Sequence, residues 1–201
     1  MTQSQPARKM TRIGLAVLGA LVGFILITRM LPGGPRSDGR AVLERTWDTT
    51  AVLGLTLSSP GRFRPITVPV PEGIRTAVDK IDSWGRMAGE TEMRVSRTQF
   101  LDGVPLSLDG SAQGAIEGMR QNPAVTALTH ADTATQVSGL PAMRTTVRFQ
   151  VPSGPAHGEI LTLLRGRTLW QVQVLGPQAQ APEVARRVME SVRLQPETEK
   201  K

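Results

Sequence analysis

"AMRTTVRFQV", residues 142–151, alternates apolar and polar side chains without a break. Met143, Thr145, Val147, Phe149 and Val151 share one face, and Arg144, Thr146, Arg148 and Gln150 take the other. A two-residue period is the signature of a strand with one packed face. Its neighbours repeat the texture. "VTALTHADTATQV" precedes it across Ser138-Gly139, "GEILTLLR" follows Ser153-Gly154-Pro155, and "TLWQVQVLG" follows Gly166. In that last strand Trp170, Val172 and Val174 are expected inward, and Gln171 and Gln173 outward. Connections this short require antiparallel neighbours.

Further out, "APEVARRVMESVRL" carries Pro182 at a first helical position and Val184, Ala185, Val188, Met189 and Val192 on one face. Upstream, "DGSAQGAIEGMRQNP" spaces Ala112, Ala115, Ile116 and Met119 as a helix does, with Asp109 or Ser111 as caps and Pro123 as the stop. Before it, "IRTAVDKIDSW" and "TEMRVSRTQFL" read as one strand pair. "AVLGLTLSS" and "RFRPITVPV" read as another, turning at Pro60-Gly61. Pro65, Pro69 and Pro71 confine the second arm of that hairpin to an edge, because proline donates no ladder bond. The expected order is β-β-β-β-α-β-β-β-β-α, an α+β domain over residues 51–195 in which helices pack on an antiparallel sheet.

This order resembles the Mog1/PsbP-like fold. The likeness rests on "LTLSSPGRFRPITVPVPEGI", on the strand entry "VSGLPAMRTTVRFQV", and on the closing "LWQVQVLGPQAQAPEVARRVMESVRL". It implies a non-enzymatic binding or assembly module and transfers no site residue.

The N-terminus is a separate unit. Residues 1–12 hold Arg8, Lys9 and Arg12 with no acid, and Ile13 to Thr28 is free of charge. That run spans about 24 Å as a helix against a hydrocarbon core of ~30 Å. Arg12 and Arg29 can snorkel at its ends, and Leu31 extends it. The run lacks the polar face of a core helix, and "RMLPGGP" is a poor cleavage site. Residues 13–31 are therefore expected to form an uncleaved transmembrane helix. The basic tail is expected on the cytoplasmic side of the inner membrane and the domain outside. Gly19 and Gly23 offer a small-xxx-small contact for homo-oligomers. Residues 32–50 are expected as a linker and 196–201 as a charged tail.

Net charge is +7, yet from Met30 onward 20 basic residues face 17 acidic ones, so the charge marks topology more than nucleic acid, and no nucleic-acid partner is expected. Cysteine is absent, which excludes disulfides and thiolate chemistry. No nucleotide-binding, zinc-protease or serine-hydrolase motif occurs, and no cofactor is expected. Aromatics are 3% of the chain, too few for the stacking that sugar hydrolysis uses.

The chemistry-bearing candidates are few. His130 and Asp132 lie two apart, on one side of a strand. His157 stands near Glu159. Asp79 and Asp82, with Glu90 and Glu92, form a loose acidic group. Arg94, Arg144, Arg148, Arg165 and Arg167 are expected on the polar side of the sheet, with Arg144 and Arg148 as the candidate partner surface. The reading is a membrane-anchored extracytoplasmic module that binds a protein partner in the envelope. The alternative is a membrane-tethered hydrolase working through His130/Asp132 or Asp79/Asp82.

Overall fold

The computed structural model describes residues 43–68 and 74–196. The expected basic tail, transmembrane helix and Gly19/Gly23 contact lie outside the described residues, as does most of the linker. Among the described residues no helix is long and apolar enough to cross a membrane.

The alternating segments form one seven-stranded antiparallel sheet. Its strands are β3 (Arg64–Pro65), β4 (Val78–Ala88), β5 (Thr91–Phe100), β6 (Thr126–Val137), β7 (Leu140–Val151), β8 (Gly154–Arg165) and β9 (Thr168–Pro177), in the order β3-β4-β5-β9-β8-β7-β6. Tight turns make β6 to β9 a meander, and β9 returns to pair with β5, Val172 opposite Val95. A smaller sheet, β1 (Asp48–Val52), β2 (Leu55–Ser59) and β10 (Arg193–Leu194), is ordered β1-β2-β10. Helices α1 (Leu108–Arg120) and α2 (Ala181–Ser191) pack on the sheets.

Several sequence expectations shift. The first hairpin turns at Leu53-Gly54, where both residues have positive φ (51° and 84°), rather than at Pro60-Gly61. A two-residue turn of this kind suits the strand twist, and glycine supplies it without strain. Consequently β1 starts at Asp48, inside the expected linker, and within the described part of the proline-rich arm Arg64–Pro65 forms the strand that pairs with β4. The cap of α1 is Ser107, whose Oγ accepts a 3.0 Å hydrogen bond from the Gly110 amide; Asp109 and Ser111 fall inside the helix.

The two faces of the large sheet are covered differently. Helix α2 and the small sheet press on the first face, where Val184, Ala185 and Val188 meet Leu55, Leu57, Val95, Val172, Val174 and Leu161. The Trp170 indole N–H donates to the Leu53 carbonyl at 2.8 Å and ties the small sheet down. On the second face α1 packs Ala115, Ile116 and Met119 onto Val147, Phe149, Ile160 and Leu175. Farther along that face Ile74, Val78, Phe100 and Leu169 make a smaller apolar group. At about 25 cal/mol per Å² of buried apolar surface, these groups dominate the stabilisation.

Gln171 and Gln173 are not outward. They are 2% and 1% exposed, because β9 is the middle strand and is covered on both faces. They sit on the second face between the two apolar groups. Cross-strand from them are Ser96 and Arg94 on one side and Thr162 and Ile160 on the other, so a buried polar belt crosses the sheet there.

Candidate binding strip on the first face

Alternation along β7 places Arg144, Thr146 and Arg148 on the first face. The register puts Thr133, Ala131 and Thr129 of β6 opposite them, and Leu161, Glu159 and His157 of β8 on the other side. Helix α2 packs over β8 and β9, so the β6–β7 margin of this face is open. Thr129, Ala131, Thr133 and Arg148 are exposed, while Arg144 and Thr146 are half-buried.

Glu159 organises the strip. Arg144 Nε donates to Glu159 Oε2 at 2.6 Å, and the carboxylate side chain is only 9% exposed. Burial alone would push the Glu159 carboxyl up. The His157 ring and the Arg144 guanidinium outweigh that and hold it below its ordinary value. His157 Nε2 stands 3.7 Å from Glu159 Oε1, longer than a hydrogen bond, so Arg144 makes the tighter contact. A carboxylate held low by a guanidinium is a weak proton acceptor and a firm positioning group. It fixes the angle at which Arg144 stands beside Arg148.

The other candidates disperse. His130 Nε2 lies 3.9 Å from Asp132 Oδ2 on the second face of β6. Asp132 is already held there by Thr145 Oγ1 (2.6 Å to Oδ1) and Gln113 Nε2 (3.0 Å to Oδ2), which tie β6 to β7 and to α1. Asp82 accepts from Arg97 at 2.8 Å and pairs with Lys80 at 3.1 Å. Burial would raise its carboxyl, but these cations hold it below its ordinary value. Asp79 is exposed at the β4 irregularity, and Glu90 lies in the β4–β5 turn. Glu92 is buried with Arg94 at 2.7 Å on the second face. The acidic residues thus form no shared site. Among the described residues no group of three His, Cys, Asp or Glu side chains could hold a metal ion.

The five arginines do not gather either. Arg94 is buried in the belt, Arg165 lies over the Trp170 ring at 5.5 Å, and Arg167 bonds the Phe100 carbonyl and Asp102 at the β8–β9 turn. Only Arg144 and Arg148 share the open strip. What sequence reasoning missed is the belt: Gln171, Gln173, Thr162 and the Glu92–Arg94 pair. Its one legible signal was a pair of glutamines in an otherwise apolar strand.

These features define an α+β domain with a two-sided antiparallel sheet and one open, basic margin. Structural comparison agrees on the fold. The cyanobacterial PsbP of Synechocystis superposes with a TM-score of 0.50 at 10% identity, over 82% of this chain and 98% of that one. LpqN, involved in cell envelope biogenesis of Mycobacterium tuberculosis, gives a TM-score of 0.41 at 12% identity, over 82% and 88%. A Bacteroides thetaiotaomicron protein gives 0.43 at 10% identity, over 79% of this chain and 51% of that one. The last two likenesses are loose, and the PsbP-like fold rests on the first. No family model and no curated protein matches the sequence.

Proposed function

We propose that this chain is a non-enzymatic binding or assembly module, held at the inner membrane by residues 13–31 with its α+β domain outside the cytoplasm, and that it takes an acidic segment of a protein partner on the β6–β7 strip. The observation that carries the reading is the pairing of Arg148, exposed, with Arg144, fixed by Glu159, on a margin that α2 leaves open. Two guanidiniums at i and i+4 on one strand, flanked by exposed threonines, offer spaced charge and hydroxyls to an extended acidic peptide. The strip lacks the aromatic platforms that stacked bases require. The hydrolase alternative draws no support from His130 and Asp132, whose carboxylate is engaged in holding β6 in place.

The test is crosslinking and affinity purification of the full-length protein from its own membranes. Arg144→Glu with Arg148→Glu is expected to lose a co-purifying partner that wild type and His130→Ala both retain. Retention by the double variant, or a hydrolytic activity that disappears in His130→Ala, overturns the proposal. Protease accessibility of the domain in spheroplasts checks the orientation.

A further inference from the structure

The two edges of the large sheet are managed very differently. Strand β3 is two residues long and contains Pro65. Strand β6 is twelve residues long, contains no proline, lysine or arginine, and among the described residues has no strand on its outer side. Thr126, Ala127, Thr129, Ala131, Thr133, Ala134, Thr135 and Gln136 are exposed. A long edge without such protection is a template for another strand, since its outward N–H and C=O groups are unpaired by any ladder. One irregularity, between Thr126 and Thr129 with Ala127 at φ 50°, limits regular pairing to the stretch from Thr129 onward.

We propose that β6 pairs antiparallel with β6 of a second copy of this chain, about a two-fold axis at Ala131. The choice of occupant comes from charge. Apart from His130 and Asp132 the strand is uncharged, and these two are symmetric about Ala131. Antiparallel pairing with Ala131 opposite its equivalent therefore sets His130 of each copy against Asp132 of the other, and Thr129 against Thr133. Both are favourable cross-strand pairs. A two-fold at Asp132 instead opposes two carboxylates, and one at His130 opposes two imidazoles. The ring and the carboxylate lie on one side of the strand, at side-chain exposures of 22% and 25%. The ring N–H of one copy can donate to the carboxylate of the other without breaking the bonds from Thr145 and Gln113. Isologous pairing of this kind closes on itself, covers both open edges and does not propagate into a fibre.

A ladder of this length is a weak interface, so the readout is a register-specific crosslink. The chain has no cysteine, which makes every introduced thiol unique. In the full-length protein in native membranes, Ala131→Cys is expected to oxidise to a disulfide-linked dimer, because directly opposed residues have a Cα separation within disulfide range. Thr129→Cys alone and Thr133→Cys alone are expected to link poorly, since like positions are offset by four residues, about 13 Å along the strand. Co-expressed Thr129→Cys and Thr133→Cys chains are expected to link well. Adding His130→Glu, which opposes two carboxylates on each side of the axis, is expected to lower Ala131→Cys crosslinking about tenfold with an unchanged circular dichroism spectrum. Three results overturn the proposal: crosslinks equal for the single variants and the mixture, as contact through the N-terminal segment alone gives; crosslinks indifferent to His130→Glu; or Ala131→Cys joined only to a different protein.

Discussion

Replacing Gln171 or Gln173 with leucine removes a carboxamide that is fully buried and has no hydrogen-bond partner for either its oxygen or its nitrogen among the described residues. Leucine occupies a similar volume, so the substitution exchanges an unpaired polar group for an apolar one with little cavity or crowding. Leaving a buried polar group unsatisfied costs about 1–3 kcal/mol. Each substitution is therefore expected to stabilise the fold by about 1–3 kcal/mol, which for a domain of this size raises Tm by roughly 2–4 °C per kcal/mol. The assay is urea unfolding with thermal melts as a second probe, at a constant m value so that the midpoint shift reports stability. Arg94→Met is the contrasting variant. It leaves the Glu92 carboxylate buried without its 2.7 Å partner and is expected to lose about 3–5 kcal/mol. The reasoning is refuted if Gln171→Leu and Gln173→Leu both lower the midpoint, which would show that the amides are bonded in solution and belong to the fold's own support.

Three further outcomes follow from the same geometry. The Glu159 carboxyl is held below its ordinary value of 4.5, so its contribution is complete above that pH and is lost as pH falls through the lower folded value. Calorimetry of wild type against Glu159→Gln should show a Tm gap that is full near pH 6 and narrows in acid. Ser107→Ala removes the cap of α1 and is expected to cost about 1 kcal/mol in urea unfolding. Gly158→Ala places a methyl carbon 2.1 Å from Leu175 Cδ2 and 2.8 Å from Val147 Cγ2 in the core under α1, an overpacking expected to cost about 1–3 kcal/mol by the same measurement.

The large sheet was legible wherever one face was packed and the other wet. Strand β7 alternates because α1 covers Val147 and Phe149 while Arg148 meets solvent, so its period could be read directly. Strand β9 misled because a middle strand covered on both faces has no wet side to announce. Its glutamines kept the rhythm of a half-exposed strand while standing in the core. For the first hairpin Pro60-Gly61 is the stronger local turn signal. The tertiary tether from Trp170 to the Leu53 carbonyl, invisible in local sequence, marks the actual turn. Of the site, the two arginines of the strip could be read from β7 alone. The role of Glu159 could not, because it depends on a register between strands that the sequence leaves open.

The position of β9 also constrains the order of assembly. It is the last long strand in the chain, yet it lies at the centre of the sheet, joining the β4–β5 hairpin to the β6–β8 meander. Until residues 168–177 are available, no strand ladder joins those two pieces. Each then presents an inner edge, β5 or β8, that the finished sheet hides. The contacts that close the sheet span some seventy residues, from Gln99 to Thr168 at one end of the seam, and such non-local pairing is slow. A nascent chain truncated before Thr168 is therefore expected to be protease-sensitive and prone to pairing with itself, with native protection appearing in one step once the final strand is supplied.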